Sequence, residues 1–275
     1  MSETKITFIG GGNMARAIYR GRVESGFPAE NIGVVDPSEA AQGAARASGL
    51  IRIAESATDA DLSADLIVLA VKPQITGIAL SPLAHRVSST ATVLSIIAGI
   101  NSASLANLLG LPNDDAVVRS MPNTPAIVGE GMTGLFSNSD QRAHGRILAE
   151  RVMSAVGQCV WVSNESDLDL VTAISGSGPA YFFLFMESLA DAAVELGMSP
   201  QTAHQLSVQT ALGAAKLAQT SDDGLAKLRE NVTSPGGTTE QAIESFEASE
   251  LRAIVMSATR AAKKRSIELS EEFGL

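Results

Sequence analysis

The sequence predicts an α/β domain built on a parallel sheet, followed by an all-α domain. Over residues 1–163, short β-branched runs alternate with helical stretches. Several of these runs are continuously apolar, which is typical of strands that are buried on both faces of a sheet. From residue 164 onward strand-like runs are absent, and long stretches rich in Ala, Leu, Glu and Ser follow one another. We therefore expect two domains, residues 1–163 and residues 164–275.

The first two predicted strands, KITFIG and NIGVVD, each lead into a helical stretch. These helices run up to Gly26 and Gly49, and glycine readily takes the left-handed conformation that ends a helix. Five later runs are also predicted to be strands: DLIVLAV, ATVLSII, AVVRSM, MTGLFS and QCVWVS. Strands that alternate with helices in this way indicate a parallel sheet with helices on both faces.

Composition narrows the classes of function. The 275 residues are 45% hydrophobic, which is enough for a sizeable core. A net charge of -10 and a pI near 4.8 argue against a nucleic-acid partner and favour small molecules. A single cysteine, Cys159, is interpreted as a small buried hydrophobe. We find no run of about 18 apolar residues, so we expect a soluble, cytoplasmic protein without membrane contact.

The helical domain contains an apolar helix that favours self-association. In the helix predicted to begin at Pro179, the apolar run Tyr181–Met186 covers every face, and such a helix requires burial on all sides. A domain of this size can hardly provide that burial alone, so we expect a dimer. Acidic residues recur at four-residue spacing along the same helix and are interpreted as a solvated edge: Glu187, Asp191 and Glu195.

A glycine-rich turn follows the first predicted strand. The stretch FIGGGNMA places Gly10, Gly12 and Ala15 in the pattern G-x-G-x-x-[G/A]. Gly10 permits the tight turn, Gly12 lets a pyrophosphate approach the backbone, and the small Ala15 allows the helix to pack closely on the strand. The amides and dipole of the following helix attract phosphate. This turn predicts a dinucleotide-binding domain of the Rossmann type.

Asp36 ends the second predicted strand, where an acidic residue accepts hydrogen bonds from an adenosine ribose. A carboxylate there favours NADH because it repels a 2′-phosphate, although Ser38 could donate to one. The alternative interpretation of Asp36 is an N-cap for a helix that begins at Pro37.

Two further turns follow later strands and fall on the same predicted sheet edge. The stretch Ala70–Gln74 contains Lys72, which either faces cofactor phosphates or lies on the surface before Pro73. In RSMPNTPA, Arg119 ends a strand and Asn123 lies in the turn after it. Asn123 could bind a ribose or a nicotinamide.

The helical domain has two polar turns. Ser175–Phe183 is predicted to contain a helix N-terminus at Pro179, and residues 231–242, NVTSPGGTTEQA, precede another helix that begins near Thr238. Helix N-termini of this kind bind anions. The histidines stand apart without the spacing of a metal site, and none is interpreted as a general base: His85, His144 and His204. A nicotinamide enzyme without an evident acid suits an electrophilic substrate such as a protonated imine.

These motifs resemble those of the pyrroline-5-carboxylate reductase family over nearly the full length. FIGGGNMARA, LAVKPQ, RSMPNTPA, ISGSGPAYFF and NVTSPGGTTEQAIESF occur in the family's order and spacing. The resemblance implies a Rossmann domain and a helical dimerisation domain, with active sites built between subunits. It also implies homodimers that can assemble into rings such as a homodecamer. The implied reaction reduces L-1-pyrroline-5-carboxylate to L-proline with NADPH or NADH, the final step of proline biosynthesis.

The resemblance also implies roles for individual residues. The turn that holds the substrate carboxylate would comprise Ser234, Gly236, Gly237, Thr238 and Thr239. Thr239 would be the catalytic residue, with its hydroxyl near the ring nitrogen, as a proton donor or as an orienting group. The cofactor would be bordered by Gly10, Gly12, Asn13, Met14, Asp36, Ser38, Ala70, Val71, Lys72, Pro73 and Asn123. Members that favour NADPH often have Thr, Ser or Asn-Arg-Ser at the end of the second strand, whereas this chain has VVDPS.

Two other functions compete with this one. The first is a related reductase that acts on β-hydroxy acids or other cyclic imines. Hydroxy-acid members usually have a lysine in the first long helix of the second domain, and residues 177–198 contain none. The second is a regulatory protein that binds NAD(P) without catalysis, which would oxidise no NAD(P)H with any imine.

Overall fold

The computed structural model describes residues 4–139 and 143–273. It forms two compact units. The first comprises the chain up to Ser177 together with the segment from Ala262 onward, and the second is Gly178–Ala261. The predicted division at residue 163 differs from this boundary because helix α6, Asp167–Val171, packs on the sheet of the first unit. Residues 1–163 and 164–275 as separate domains stay a prediction.

The first unit is built on an eight-stranded sheet in the order β3-β2-β1-β4-β5-β6-β7-β8. Its strands are β1 Ile6–Ile9, β2 Ile32–Val35, β3 Arg52–Ala54, β4 Leu66–Leu69, β5 Thr92–Ser95, β6 Val117–Met121, β7 Gly131–Ser137 and β8 Gly157–Trp161. The predicted α/β class is confirmed, and all seven predicted strands are present. β1, β2, β4 and β5 are buried along their whole length, as their apolar runs predict.

The sheet departs from a purely parallel arrangement at one pairing. β7 runs antiparallel to β6, with Arg119 opposite Phe136, and β8 then runs parallel to β7. The link between β6 and β7 contains only a short 3-10 turn, Thr124–Val128, and so is too short for the crossover that parallel strands require.

Strand β3 is absent from the sequence-based prediction. It has three residues, is only half-buried and lies at the edge of the sheet. Its apolar signal is therefore too short and too weak to be recognised as a strand.

Helices cover both faces of the sheet with two apolar layers. The helices of the first unit are α1 Asn13–Glu24, α2 Glu39–Ala47, α3 Thr76–Leu80, α4 Ser102–Leu109, α5 Ala143–Met153 and α6 Asp167–Val171. One layer contains Phe8 and Tyr19 in an edge-to-face contact, and half-buried Cys159 packs against it. The other contains Leu69 and Leu105. Gly26 and Gly49 have the left-handed φ values predicted for them, +89° and +84°.

The end of the C-terminal helix belongs to the first unit. Helix α11 runs from Leu251 to Phe273, and its part from Ala262 onward lies in this unit. Ser266 Oγ donates a 2.7 Å hydrogen bond to Asp169 Oδ1, and Phe273 packs against the second apolar layer.

The second unit is entirely helical in the structure. It contains α7 Gly178–Glu195, α8 Pro200–Thr220, α9 Leu225–Asn231, α10 Thr238–Ala248 and the first part of α11. Most of its apolar side chains are exposed in the single chain, and Phe182 of α7 retains 69% of its accessible surface. An apolar helix left this exposed requires a covering surface.

Residues 167–195 also meet, by length and composition alone, the criterion for a helix that could cross a membrane. The sequence-based reading found no such run, so this is a departure from it. The segment combines α6, a turn of π-helix at Thr172–Gly176, and α7.

Candidate functional site

The glycine turn after β1 has the backbone geometry that its motif predicts. Gly10 has φ +99°, and a Cβ at this position would lie 2.6 Å from the carbonyl oxygen of Ala70. The turn thus lies directly against the end of β4, and the N–H of Gly10 donates a 2.8 Å bond to Val35 O at the end of β2. A side chain here would require both a rare φ and displacement of a neighbouring strand.

Gly12 leaves the amino end of α1 open. It is the N-cap of α1 and makes no side-chain capping bond. A Cβ at Gly12 would meet nothing within 4 Å, so open space lies over this end of the helix. The first N–H groups of a helix have no partner within it, and together with the dipole they attract anions. Asn13 and Met14 begin α1 at this point. The cradle therefore fits a dinucleotide pyrophosphate.

Asp36, just after β2, is bonded to the glycine turn. Its Oδ2 accepts a 2.7 Å hydrogen bond from the N–H of Gly11, and its Oδ1 accepts a 2.8 Å bond from the N–H of Ser38. The N-cap alternative for Asp36 is wrong. α2 begins at Glu39, and its N-cap is Ser38, whose Oγ accepts from the N–H of Ala41. Proline at position 37 lies outside the helix because the chain is still extended at Ser38.

The segment after β4 reaches the same edge of the sheet. The N–H of Ala70 donates a 2.8 Å bond to Ile9 O, which holds this segment beside the glycine turn. Val71 and Lys72 follow, and Pro73 opens a short 3-10 turn. The side chain of Lys72 is exposed. The carboxyl ends of β1, β2 and β4 thus bring together three of the four predicted cofactor-binding segments, at the point where strand order reverses.

Asn123 is the fourth predicted cofactor-binding segment, and its side-chain amide makes two hydrogen bonds within the protein. Its Oδ1 accepts a 2.8 Å bond from the N–H of Met132, and its Nδ2 donates a 3.0 Å bond to the carbonyl of Ser175. Only 8% of Asn123 is exposed. One N–H of the side-chain amide remains for a ligand. A cofactor-binding role for Asn123 stays a prediction.

The predicted helix with Pro179 in its first turn is present as α7, which begins at Gly178, but a π-helical turn precedes it instead of an open loop. These residues lie within a continuous helical run, where the π-helical turn Thr172–Gly176 joins α6 to α7. The N–H of Ser177 donates to Thr172 O at 2.8 Å, the i to i−5 bond of a π-turn. A Cβ at Gly176 would lie 2.7 Å from Met121 Cε, so this glycine permits close packing instead of exposing donors.

The turn before α10 does form a helix N-terminus, as predicted. The N–H of Gly237 donates a 3.0 Å bond to Ser234 O, and Gly236 has φ +72°. Proline second and a left-handed glycine third are typical of a type II turn. Gly237 caps α10, which begins at Thr238, and makes no side-chain capping bond. Thr239 is half-buried. The first N–H groups of α10 are therefore available to an anion.

Glu240 is a residue of this turn that the sequence-based reading missed. Its Oε2 accepts a 2.6 Å hydrogen bond from the N–H of Gly236. The signal was only partial: an acidic residue three positions after the N-cap is half of the capping-box pattern, but the N-cap here is Gly237 and Glu240 binds the N–H of Gly236, the residue before that N-cap. Glu240 thus fixes the turn and lowers the number of its free donors.

Neither the histidines nor the acidic groups of the described residues form a metal site. His85, His144 and His204 are all exposed. His85 lies outside the helices and has φ +60°. Within residues 4–139 and 143–273, no group of three His, Cys, Asp or Glu side chains could hold a metal ion.

Two family models match the chain. Residues 165–269 match the model described as pyrroline-5-carboxylate reductase dimerisation, and residues 5–99 match the model described as NADP oxidoreductase, coenzyme F420-dependent. The pyrroline-5-carboxylate reductase of Pseudomonas aeruginosa is 44% identical over 274 residues, which span 100% of both chains. The enzyme of Haemophilus influenzae is 41% identical and covers 99% of this chain and 100% of its own.

The chain belongs to the pyrroline-5-carboxylate reductase family. Solved structures agree with the sequence matches. The pyrroline-5-carboxylate reductase of Coxiella burnetii superimposes with a TM-score of 0.90 at 39% identity, covering 98% of this chain and 99% of its own. The Plasmodium falciparum pyrroline carboxylate reductase, solved with NADP bound, gives 0.83 at 32% identity, with coverage of 98% and 99%. The family model at residues 165–269 also contains the apolar α7, so it supports self-association through this unit.

Proposed function

We propose that this protein reduces L-1-pyrroline-5-carboxylate to L-proline, the final step of proline biosynthesis, with NADPH or NADH. The observation that carries the proposal is full-length identity of 44% to a pyrroline-5-carboxylate reductase. The reaction converts the ring CH=N unit into a CH2–NH unit, so it needs one hydride at the imine carbon and one proton at nitrogen. The bound nicotinamide supplies the hydride.

The cofactor site of this proposal lies along the carboxyl ends of β1, β2, β4 and β6. Its residues are Gly10, Gly12, Asn13, Met14, Asp36, Ser38, Ala70, Val71, Lys72, Pro73 and Asn123. The open amino end of α1 holds the pyrophosphate, and Gly10 lets the turn lie directly against the end of β4. These residues bind and orient the dinucleotide through backbone donors.

The substrate site of this proposal is the turn before α10. Its residues are Ser234, Gly236, Gly237, Thr238 and Thr239. The substrate carboxylate binds the first N–H groups of α10, which has Gly237 as its N-cap and no side-chain cap. Fixing the carboxylate sets the position of the ring, so orientation supplies much of the rate enhancement. The hydroxyl of Thr239 then orients the ring nitrogen or passes a proton to it.

The second unit also carries the surface that we propose for self-association. We propose a homodimer formed over the exposed apolar face of α7, where Phe182 and Phe183 retain 69% and 62% of their accessible surface. If a second copy covers this face, the apolar composition of residues 167–195 is explained without a membrane. Dimers that assemble into a ring, such as a homodecamer, and a cytoplasmic location complete the proposal. Light scattering of the purified protein tests it, and a monomer at micromolar concentration would contradict it.

The activity is tested by the loss of absorbance of NADPH and of NADH on addition of pyrroline-5-carboxylate. We expect consumption of at least one cofactor and formation of proline in equal amount. Binding of NADPH or NADH without consumption would instead indicate a regulatory protein. A pyrroline ring without the carboxylate is the matched control, and it should react poorly because the turn before α10 has nothing to bind.

A further inference from the structure

We propose that Asp36 makes this enzyme select NADH over NADPH, through a carboxylate that the fold locks in place at the ribose position. The inference rests on the proposed function, since it concerns the cofactor of that reaction. Asp36 lies at the end of β2, and its two carboxylate oxygens accept bonds from two different backbone N–H groups, those of Gly11 and Ser38. A carboxylate bonded on both sides cannot rotate away from an incoming ligand.

Each of those bonds leaves acceptor capacity. A carboxylate has about four lone-pair sites, and the backbone occupies one on each oxygen. The remaining sites can accept hydrogen bonds from the 2′- and 3′-hydroxyls of an adenosine ribose, as acidic residues at this position do in dinucleotide-binding folds. A 2′-phosphate has no hydrogen to donate in its charged form. It would meet a fixed negative charge at hydrogen-bonding distance.

The β2–α2 segment itself provides no cation that would compensate for that repulsion. Residues 32–45 contain a second exposed acid, Glu39, and no Arg or Lys. The nearest basic residue along α2 is Arg46, whose Nη2 donates a 3.2 Å bond to Gln42 Oε1. Seven residues of α-helix separate it from Glu39, or about 10 Å along the axis. Arg46 therefore lies too far along α2 to neutralise a 2′-phosphate at the end of β2.

Ser38, which the sequence leaves open as a donor to a 2′-phosphate, is held between Asp36 and the start of α2. Its N–H is donated to Asp36, and its Oγ accepts the N–H of Ala41 as the N-cap of α2. The hydroxyl could donate its hydrogen to a phosphate while its oxygen still caps α2. A phosphate in that position, however, would lie beside the negative charge of Asp36. The local structure thus supplies acceptors for a ribose and repulsion for a phosphate.

The decisive experiment compares two fragments that lack the nicotinamide, so that it does not depend on turnover. Calorimetry measures the binding of adenosine 5′-monophosphate and of 2′,5′-adenosine diphosphate, which differ only in the 2′-phosphate. We expect the first to bind the wild type at least about 10-fold more tightly. Asp36→Asn should bring the two affinities within about 3-fold of each other, because it removes the charge at nearly constant shape.

Two further variants make the result unambiguous. Glu30→Gln removes an exposed charge at the opposite end of β2 and should leave the preference unchanged. Glu39→Lys keeps both bonds of Asp36 and adds a cation beside the site, so it should strengthen binding of the 2′-phosphate fragment even if Asp36→Asn folds poorly. Equal affinities in the wild type, or tighter binding of 2′,5′-adenosine diphosphate, would overturn the proposal. Failure of both fragments to bind would overturn the nucleotide site itself, whereas normal preference without proline formation would count only against the proposed reaction.

Discussion

The side-chain amide of Asn123 donates a 3.0 Å hydrogen bond to the backbone carbonyl of Ser175. In a regular α-helix this carbonyl would accept from the N–H of residue 179, but residue 179 is proline and has none. The π-helical turn before Ser177 and the amide of Asn123 together satisfy the freed backbone groups. The motifs MPNTP and SGSGP, 52 residues apart, are thus joined by one bond.

Replacing Asn123 by alanine should destabilise the protein. The change leaves the N–H of Met132 and the carbonyl of Ser175 without partners, at a cost of about 1–3 kcal/mol each where they are buried. Urea unfolding followed by circular dichroism measures the effect. Asn107→Ala, at an exposed position of α4, is the control and should not lower the free energy of unfolding. Equal effects of the two variants would argue against the bridge.

Gly10→Ala should disrupt the glycine turn. The new Cβ would face the carbonyl oxygen of Ala70 at 2.6 Å, and φ at +99° is unfavourable for alanine. We expect a loss of more than about 2 kcal/mol in unfolding free energy, together with loss of dinucleotide binding measured by calorimetry. Gly43→Ala, inside α2 with open space around it, should instead stabilise by about 0.5–1 kcal/mol. Normal dinucleotide affinity in Gly10→Ala would contradict the proposed site.

Thr239→Ala should lower kcat while leaving the affinity for NADH or NADPH unchanged. A loss of about 10²–10⁴-fold would fit proton donation, and a loss of about 10-fold would fit orientation of the imine. Thr239→Ser keeps the hydroxyl and should retain most of the activity. Thr220→Ala, at the exposed end of α8, is the matched control. Wild-type kcat in Thr239→Ala would remove this residue from the mechanism.

Glu240→Ala should weaken substrate binding through the turn that it fixes. Loss of the 2.6 Å bond to the N–H of Gly236 releases a segment with a left-handed glycine, so the donors of α10 are less well positioned. Steady-state kinetics should show KM for pyrroline-5-carboxylate raised by about 3- to 10-fold with a smaller change in kcat. Glu244→Ala, one turn further along α10, should have no effect. A lower KM in Glu240→Ala would mean that this carboxylate competes with the substrate.

Acid should remove a small stabilising contribution from Asp61. Hydrogen bonds from the Ser63 hydroxyl and backbone N–H, together with Arg52, lower the pKa of Asp61 from 3.8 to about 2. A lowered pKa stabilises the folded state above the unfolded pKa, and this contribution is lost as pH falls from about 4 to about 2. The side chain is 53% exposed, so solvent screening keeps the contribution below about 1 kcal/mol.

Urea midpoints between pH 5 and pH 2 test this expectation, from about one unit above the unfolded pKa of Asp61 down to its folded pKa. The wild type should lose more stability over that range than Asp61→Asn does. Asp59→Asn, a neighbouring exposed position, should follow the wild type. Parallel curves for the wild type and Asp61→Asn would show that the network around Asp61 contributes nothing.

The sequence was informative wherever a local rule decides the structure. Buried parallel strands are recognised as continuous apolar runs. The left-handed conformations of Gly26 and Gly49 are predicted by their positions at the ends of helices. The turns at Gly10 and Gly236 follow from the positive φ that each requires. These features depend on residues that lie close together along the chain. For that reason the α/β class, the all-helical second unit and the beginning of α10 could all be predicted.

Tertiary structure decided what depends on distant partners. The reversal of β7, the bond of Asp36 to Gly11 and the use of Asn123 to complete a π-turn all join residues that no local pattern connects. At Ser175–Pro179 the local rule correctly predicted the start of α7, but it did not predict the π-turn before α7 or the bond from Asn123 to the carbonyl of Ser175. A buried backbone N–H or C=O group must have a hydrogen-bond partner. The sequence shows that such a partner is needed, but only the folded chain shows which residue provides it.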